Sequence, residues 1–255
     1  MKRVVVKVGS AVLTKGSELA LDRMQALVDF LAELIEKYEV VLVSSGSVGA
    51  GYTELKLDRK ILENKQALAS IGQPILMNKY AKKFAKYNIL VSQILVTAAN
   101  LHKVEDTKKV KNTIDLLLKS NVLPIVNEND ATATEELVVG DNDQLSAYIA
   151  NSVDADILII LSDIDAYYDD DPRENNDAKV LKEVSSIAKK EIQREATPHG
   201  DFATGGIVTK LKAAQYLLQN NKSMFLASGF NLSDVRSFML DAKHIGGTLF
   251  KGNNL

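Results

Sequence analysis

Six short runs of aliphatic and β-branched residues recur along the chain, at 4–8, 40–44, 89–95, 122–126, 157–161 and 224–227. Between them lie segments with helical spacing, at 21–37, 65–87, 110–119, 144–151 and 207–220. Such alternation predicts right-handed βαβ crossovers and a mostly parallel sheet. The runs look uniformly apolar rather than alternating, as burial on both faces requires. The fold class is therefore α/β, with helices on both sides of one sheet. Ligands in such sheets bind beyond the carboxyl ends of the strands. Polar clusters that each follow a strand should thus converge.

A length of 255 residues permits one large domain or two smaller ones. Net charge is −2, from 31 basic and 33 acidic residues, which leaves no electrostatic footprint for nucleic acid or an anionic membrane. Cysteine is absent, which excludes disulfides, thiolate chemistry and Cys-ligated zinc. At the start, Lys7 ends an apolar run after three valines. That is short of the roughly seven residues a signal peptide needs. No stretch approaches the roughly 18 apolar residues of a membrane span. The cytoplasm is the natural compartment for such a chain. Residues 169–177 form an acidic, polar loop in the second half.

Two polar runs stand out, Asn127-Glu128-Asn129-Asp130 after the apolar run at 122–126, and Asp141-Asn142-Asp143 before a helical segment. Acids and amides are poor core material. They suit a small zwitterion, because carboxylates accept from an ammonium group and amide NH2 groups donate to a carboxylate. Either run alone could equally be a solvated turn with a helix cap. Both together, beside the turns described next, favour a ligand.

Neither GxxxxGK[ST] nor GxGxxG occurs, so the usual P-loop and dinucleotide signatures are missing. Three other glycine-bearing turns could hold phosphates. In Lys7-Val8-Gly9-Ser10 a lysine sits among valines, costly unless its ammonium meets an anion or reaches water at a sheet edge. The run 44–51, SSGSVGAG, exposes backbone N–H groups at a predicted helix start, an anion site unless its glycines serve packing alone. The run 203–210, ATGGIVTK, opens another helix and carries Lys210, which can reach a phosphate as a mobile charge. Two lysines and three such turns fit phosphoryl transfer, which needs in-line positioning and positive charge rather than covalent work by the protein. His102, His199 and His244 are scattered without metal-ligand spacing and read as surface or packing residues.

These residues resemble the amino acid kinase family. The matching segments are VVVKVGSAVLT at 4–14, LVSSGSVGAG at 42–51, LPIVNENDATAT at 123–134, VGDNDQLSA at 139–147 and TGGIVTKLKAA at 204–214. NEND followed by GDND is the specific part, and it points to family members that phosphorylate the γ-carboxylate of L-glutamate at the first step of proline biosynthesis. The alternative is a family member with another acceptor, such as N-acetylglutamate or aspartate. A rival outside catalysis is a sensor of ATP or an amino acid.

The resemblance implies a three-layer αβα sandwich, with the acceptor in a lobe at about 1–150 and ATP in a lobe at about 151–255. It implies that Lys7 and Lys210 stabilise charge on the transferring group, that Gly9 and Gly46 offer it backbone N–H groups, and that Asp143 orients the lysines. Ser45, Asp130 and Asn142 would bind glutamate. Lys7, Ser162, Asp163, Thr204, Gly205, Gly206, Ile207, Val208, Thr209 and Lys210 would bind ATP. Mg2+ would bridge the phosphates, with much of its shell from ATP and water and no dedicated protein ligands. A homo-oligomer, dimer or tetramer, is expected, and the helices in 52–119 could supply a subunit contact. Ser162-Asp163 stands where Thr-Asp is common, and Ile164-Asp165-Ala166-Tyr167-Tyr168 replaces a Gly-Leu-Tyr pattern. Many of these relatives carry a carboxyl-terminal PUA domain, for which a chain ending at Leu255 is expected to have no room. Glu128 and Asp141 receive no role.

Overall fold

The computed structural model describes residues 2–16, 18–97, 100–101, 103–132, 142–193 and 206–252. The strands are β1 (Arg3–Val8), β2 (Thr14–Lys15), β3 (Glu18–Leu19), β4 (Glu39–Val43), β5 (Leu90–Val96), β6 (Val122–Glu128), β7 (Ile157–Ser162), β8 (Glu183–Val184), β9 (Ser223–Ser228) and β10 (Thr248–Phe250). The helices are α1 (Ser10–Leu13), α2 (Leu21–Ile35), α3 (Ser47–Glu54), α4 (Leu62–Phe84), α5 (Val104–Lys119), α6 (Asn142–Ser152), α7 (Lys189–Ile192), α8 (Ile207–Gln219) and α9 (Ser233–Leu240).

All strands except β2 and β3 join one sheet, in the order β5-β6-β4-β1-β7-β9-β10-β8. Its pairings are parallel apart from β9 with β10. β2 and β3 form a small antiparallel hairpin. The six predicted strands are all present. β8 and β10 were not foreseen, being too short to carry a periodic signal.

The sheet is covered on both faces. Val4, Val6 and Val8 of β1 enter one core with Met24, Leu27 and Leu31 of α2, Leu76 and Tyr80 of α4, and Val235 of α9. Val5 enters the other, with Ile114 of α5, Leu145 and Ile149 of α6, and Leu211 and Leu217 of α8. Each such side chain contributes about 1.5–3 kcal/mol on burial. A strand's period of two puts Lys7 on the face of Val5, toward α6 and α8.

β5 departs from the expectation of uniform burial. It is an edge strand, and Leu90 is 66% exposed.

α3 and α4 cross with their backbones nearly touching. A Cβ on Gly51 would lie 1.9 Å from the Leu68 carbonyl oxygen, and one on Gly72 would lie 1.8 Å from that of Ser47. Only glycine permits this approach. Among the described residues, no helix is long and apolar enough to cross a membrane.

Candidate active site

Lys7 lies on β1, which is central, so its ammonium has no sheet edge at which to reach water. It is 3% exposed and donates to Oδ1 of Asp143 at 2.5 Å. Lys210, in the first turns of α8 and 2% exposed, donates to Oδ2 of the same carboxylate at 3.0 Å. The Thr209 hydroxyl is also 3.0 Å from that Oδ2. Asp143 itself is fully buried at the start of α6. Two ammonium groups share one carboxylate in a water-poor setting. Buried positive charge of this kind suits an anionic ligand.

The preceding residue, Asn142, reaches the opposite way. Its Nδ2 lies 2.9 Å from the Ser44 carbonyl oxygen, 2.8 Å from Ser45 Oγ and 3.1 Å from Asn127 Oδ1. The adjacent residues Asn142 and Asp143 thus join the turn after β4 and the end of β6 to the two lysines. In that turn Gly46 has φ 97°, a left-handed conformation that favours glycine, and caps α3. The buried Ser47 places its hydroxyl 2.7 Å from Oδ2 of Asp130. Burial holds the Asp130 carboxyl above its usual range, against the lowering effects of Ser47 and Lys65.

Beside this network is a cavity of about 190 Å³. Ser47, Gln73, Gln93, Glu128 and Asp130 are among its lining residues. Gln73 is only 8% exposed, and its Oε1 accepts from Asn127 Nδ2 at 2.8 Å. Farther along the sheet, the Gly9 N–H donates to the Leu161 carbonyl oxygen at 2.9 Å. The donor expected for a phosphoryl group is thus spent within the sheet. What Gly9 leaves is closeness, since a Cβ there would sit 3.8 Å from Lys7 Nζ.

Ser162 ends β7. Its hydroxyl donates to Asp163 Oδ1 at 2.8 Å and accepts from the Ile164 N–H at 3.2 Å. Gly206 caps α8, with Ile207 and Val208 in its first turn. Thr204, Gly205, Asp141, His102 and His199 lie outside the described residues. His244 packs edge-on against Phe225 and Phe238, away from the triad.

The sequence offered partial signals for the rest. Thr209 was expected at the nucleotide, and its hydroxyl contact with Asp143 was not foreseen. Ser47 stood within the quoted turn without being singled out. Gln73 had no local signal, because a buried amide on a long helix reads like any exposed one.

Residues 2–228 match the amino acid kinase family. A glutamate 5-kinase from Wolinella succinogenes is 52% identical to this chain, over 98% of each. Another from Leishmania donovani is 50% identical, over 98% of this chain and 95% of its own. Among solved structures, a carbamate kinase from Giardia lamblia bound to AMP-PNP superposes with a TM-score of 0.68 at 19% identity, over 99% of each chain. The product complex of T. acidophilum isopentenyl phosphate kinase superposes with a TM-score of 0.67 at 15% identity, over 98% of this chain and 100% of its own. These two share the fold.

Proposed function

The chain belongs to the amino acid kinase family, and on that footing we propose that it transfers the γ-phosphoryl group of ATP to the γ-carboxylate of L-glutamate. The products are L-glutamyl 5-phosphate and ADP, at the first step of proline biosynthesis. Relatives at 50–52% identity that are named glutamate 5-kinases support the choice of acceptor. The observation that carries the chemistry is the buried Asp143 carboxylate held between Lys7 and Lys210.

The acceptor carboxylate is already ionised at neutral pH, so the reaction needs no general base. The obstacle is the approach of two anions. Lys7 and Lys210 offset it by placing positive charge on the transferring group, and Asp143 keeps both ammonium groups aimed. Gly46 lends that group a backbone N–H, and Gly9 lets it approach Lys7 closely. Ser45, Asp130 and Asn142 hold glutamate, with Asp130 accepting from its ammonium group. Ser162, Asp163 and the run Thr204, Gly205, Gly206, Ile207, Val208, Thr209 and Lys210 hold ATP. The acceptor lobe is then about residues 1–150 and the nucleotide lobe about 151–255.

Both oxygens of Asp143 are committed to lysines, and the described residues contain no group of three or more His, Cys, Asp or Glu that could cage a metal. Mg2+ would enter as a companion of the nucleotide, with no described residue assigned to hold it. When bound it neutralises phosphate charge. The reaction runs in the cytoplasm, in a homo-oligomer.

ADP release measured with L-glutamate, N-acetylglutamate and L-aspartate side by side tests the reading. Turnover should be strongest with L-glutamate. Preference for N-acetylglutamate, which lacks the ammonium charge, would overturn the role of Asp130 and the assigned acceptor together.

A further inference from the structure

We propose that Gln73 is a positioning residue for the acceptor: by accepting from Asn127 Nδ2, it holds Asn127 in the orientation that two backbone groups select and so reinforces the orientation of the Asn142 amide toward the ligand. This rests on the glutamate-binding role given to Asn142 above.

The two ends of a carboxamide are nearly the same shape, so hydrogen bonds rather than packing decide its orientation. Here two backbone groups set the polarity of a three-amide relay. The Ser44 carbonyl oxygen can only accept, so Asn142 must present Nδ2 to it, at 2.9 Å. The Glu128 N–H can only donate, so Asn127 must present Oδ1 to it, at 2.9 Å. That Oδ1 also takes Asn142 Nδ2 at 3.1 Å. Asn127 Nδ2 is thereby turned toward α4, where Gln73 Oε1 meets it at 2.8 Å.

One consequence concerns Asn142. Its NH2 group carries two hydrogens. They are already shared among three protein acceptors, namely Ser44 O, Ser45 Oγ and Asn127 Oδ1. The atom Asn142 can offer to a ligand is its oxygen, which suits an ammonium and not a carboxylate. A second consequence concerns Asn127. Without an acceptor at Gln73, its buried Nδ2 loses its partner on α4 and the amide gains reason to turn. A turned Asn127 would present NH2 to the NH2 of Asn142, and the acceptor subsite would lose its orientation. Gln73 also lines the cavity that Asp130 and Glu128 share, which places the relay beside the acceptor subsite.

The test compares Gln73→Met, which keeps the shape without the oxygen, with Gln73→Glu, which keeps an acceptor toward Asn127. Q73M should raise the KM for L-glutamate at least fivefold, leave kcat and the KM for ATP within twofold, and be largely rescued in Q73E. Gln73→Asn withdraws the oxygen by one methylene and should give the same selective rise, so it replaces Q73M if that variant does not fold. An unchanged glutamate KM in either acceptor-deleting variant overturns the proposal. So does a parallel loss in glutamate KM, ATP KM and kcat, or a Q73E no better than Q73M. A wild-type protein that ignores L-glutamate refutes the proposed function instead, and the comparison then runs with the acid it does phosphorylate.

Discussion

Asp143 carries more of the site's electrostatics than any other single side chain described, because its two oxygens each hold one lysine. Replacing Lys7 or Lys210 with alanine should lower kcat by about 100-fold or more, the scale of losing one transition-state donor. Near-normal turnover in single-turnover kinetics with either variant would remove that lysine from the mechanism. Asp130 gives a pH signature. Its folded-state pKa is raised by burial above the ordinary 3.8. Between those two values the native state binds more protons than the unfolded chain, so this group's contribution to stability is lost as pH rises through that window. Binding an ammonium group requires the ionised form. The KM for glutamate should therefore fall as pH rises through the raised pKa, while the KM for ATP stays level. Asp130→Asn should raise the glutamate KM and flatten its pH profile. The lysines and acids were legible because charge inside an apolar run, or carboxylates after a strand, violates burial preferences visibly. Gln73 and Ser47 violate nothing locally, and only the packing of α4 and α3 against β6 gives them partners.

At the level of elements, the glycine-rich segment after β4 serves two purposes. Gly46 provides the left-handed cap, whereas Gly51 lets α3 cross α4 at backbone contact. The sequence posed an anion site and close packing as competing explanations of one motif. Close packing holds at Gly51. Gly72 is the matching surface on α4, four residues after Leu68 and one before Gln73. Gly72→Ala should destabilise by at least about 1–3 kcal/mol, the usual cost of overpacking. Its Cβ would press on Ser47, so a rise in glutamate KM should accompany the lower Tm. A stable Gly72→Ala protein would mean that the crossing is looser than its geometry implies. β5 was misjudged. Its aliphatic residues are interrupted by Ser92 and Gln93, a local sign of a less buried strand.

On the scale of the molecule, Lys7, Asp143 and Lys210 come from the beginning, middle and final third of the chain. Their meeting was foreseen only in outline, from the rule that the carboxyl ends of parallel strands converge. A ligand that bridges them should stabilise the whole fold. Nucleotide at about 100 times its Kd adds roughly 2.7 kcal/mol. That corresponds to several degrees in Tm, at about 2–4 °C per kcal/mol for a chain of this size. Differential scanning calorimetry with ATP and Mg2+ should show the shift in wild type, and Lys210→Ala should lose most of it. An undiminished shift in that variant would place the nucleotide elsewhere.

The position of β1 carries a mechanical consequence. It is bonded to β4 on one side and to β7 on the other, along nearly its full length. The turn after β4 and the Ser162 end of β7 are therefore splinted to the strand that bears Lys7. Prising the two halves apart would mean unzipping a buried ladder. The sheet acts as a keel. Against that keel Lys7 is a fixed point, held by ladders on both sides, from which displacement of the turns at the rim can be measured.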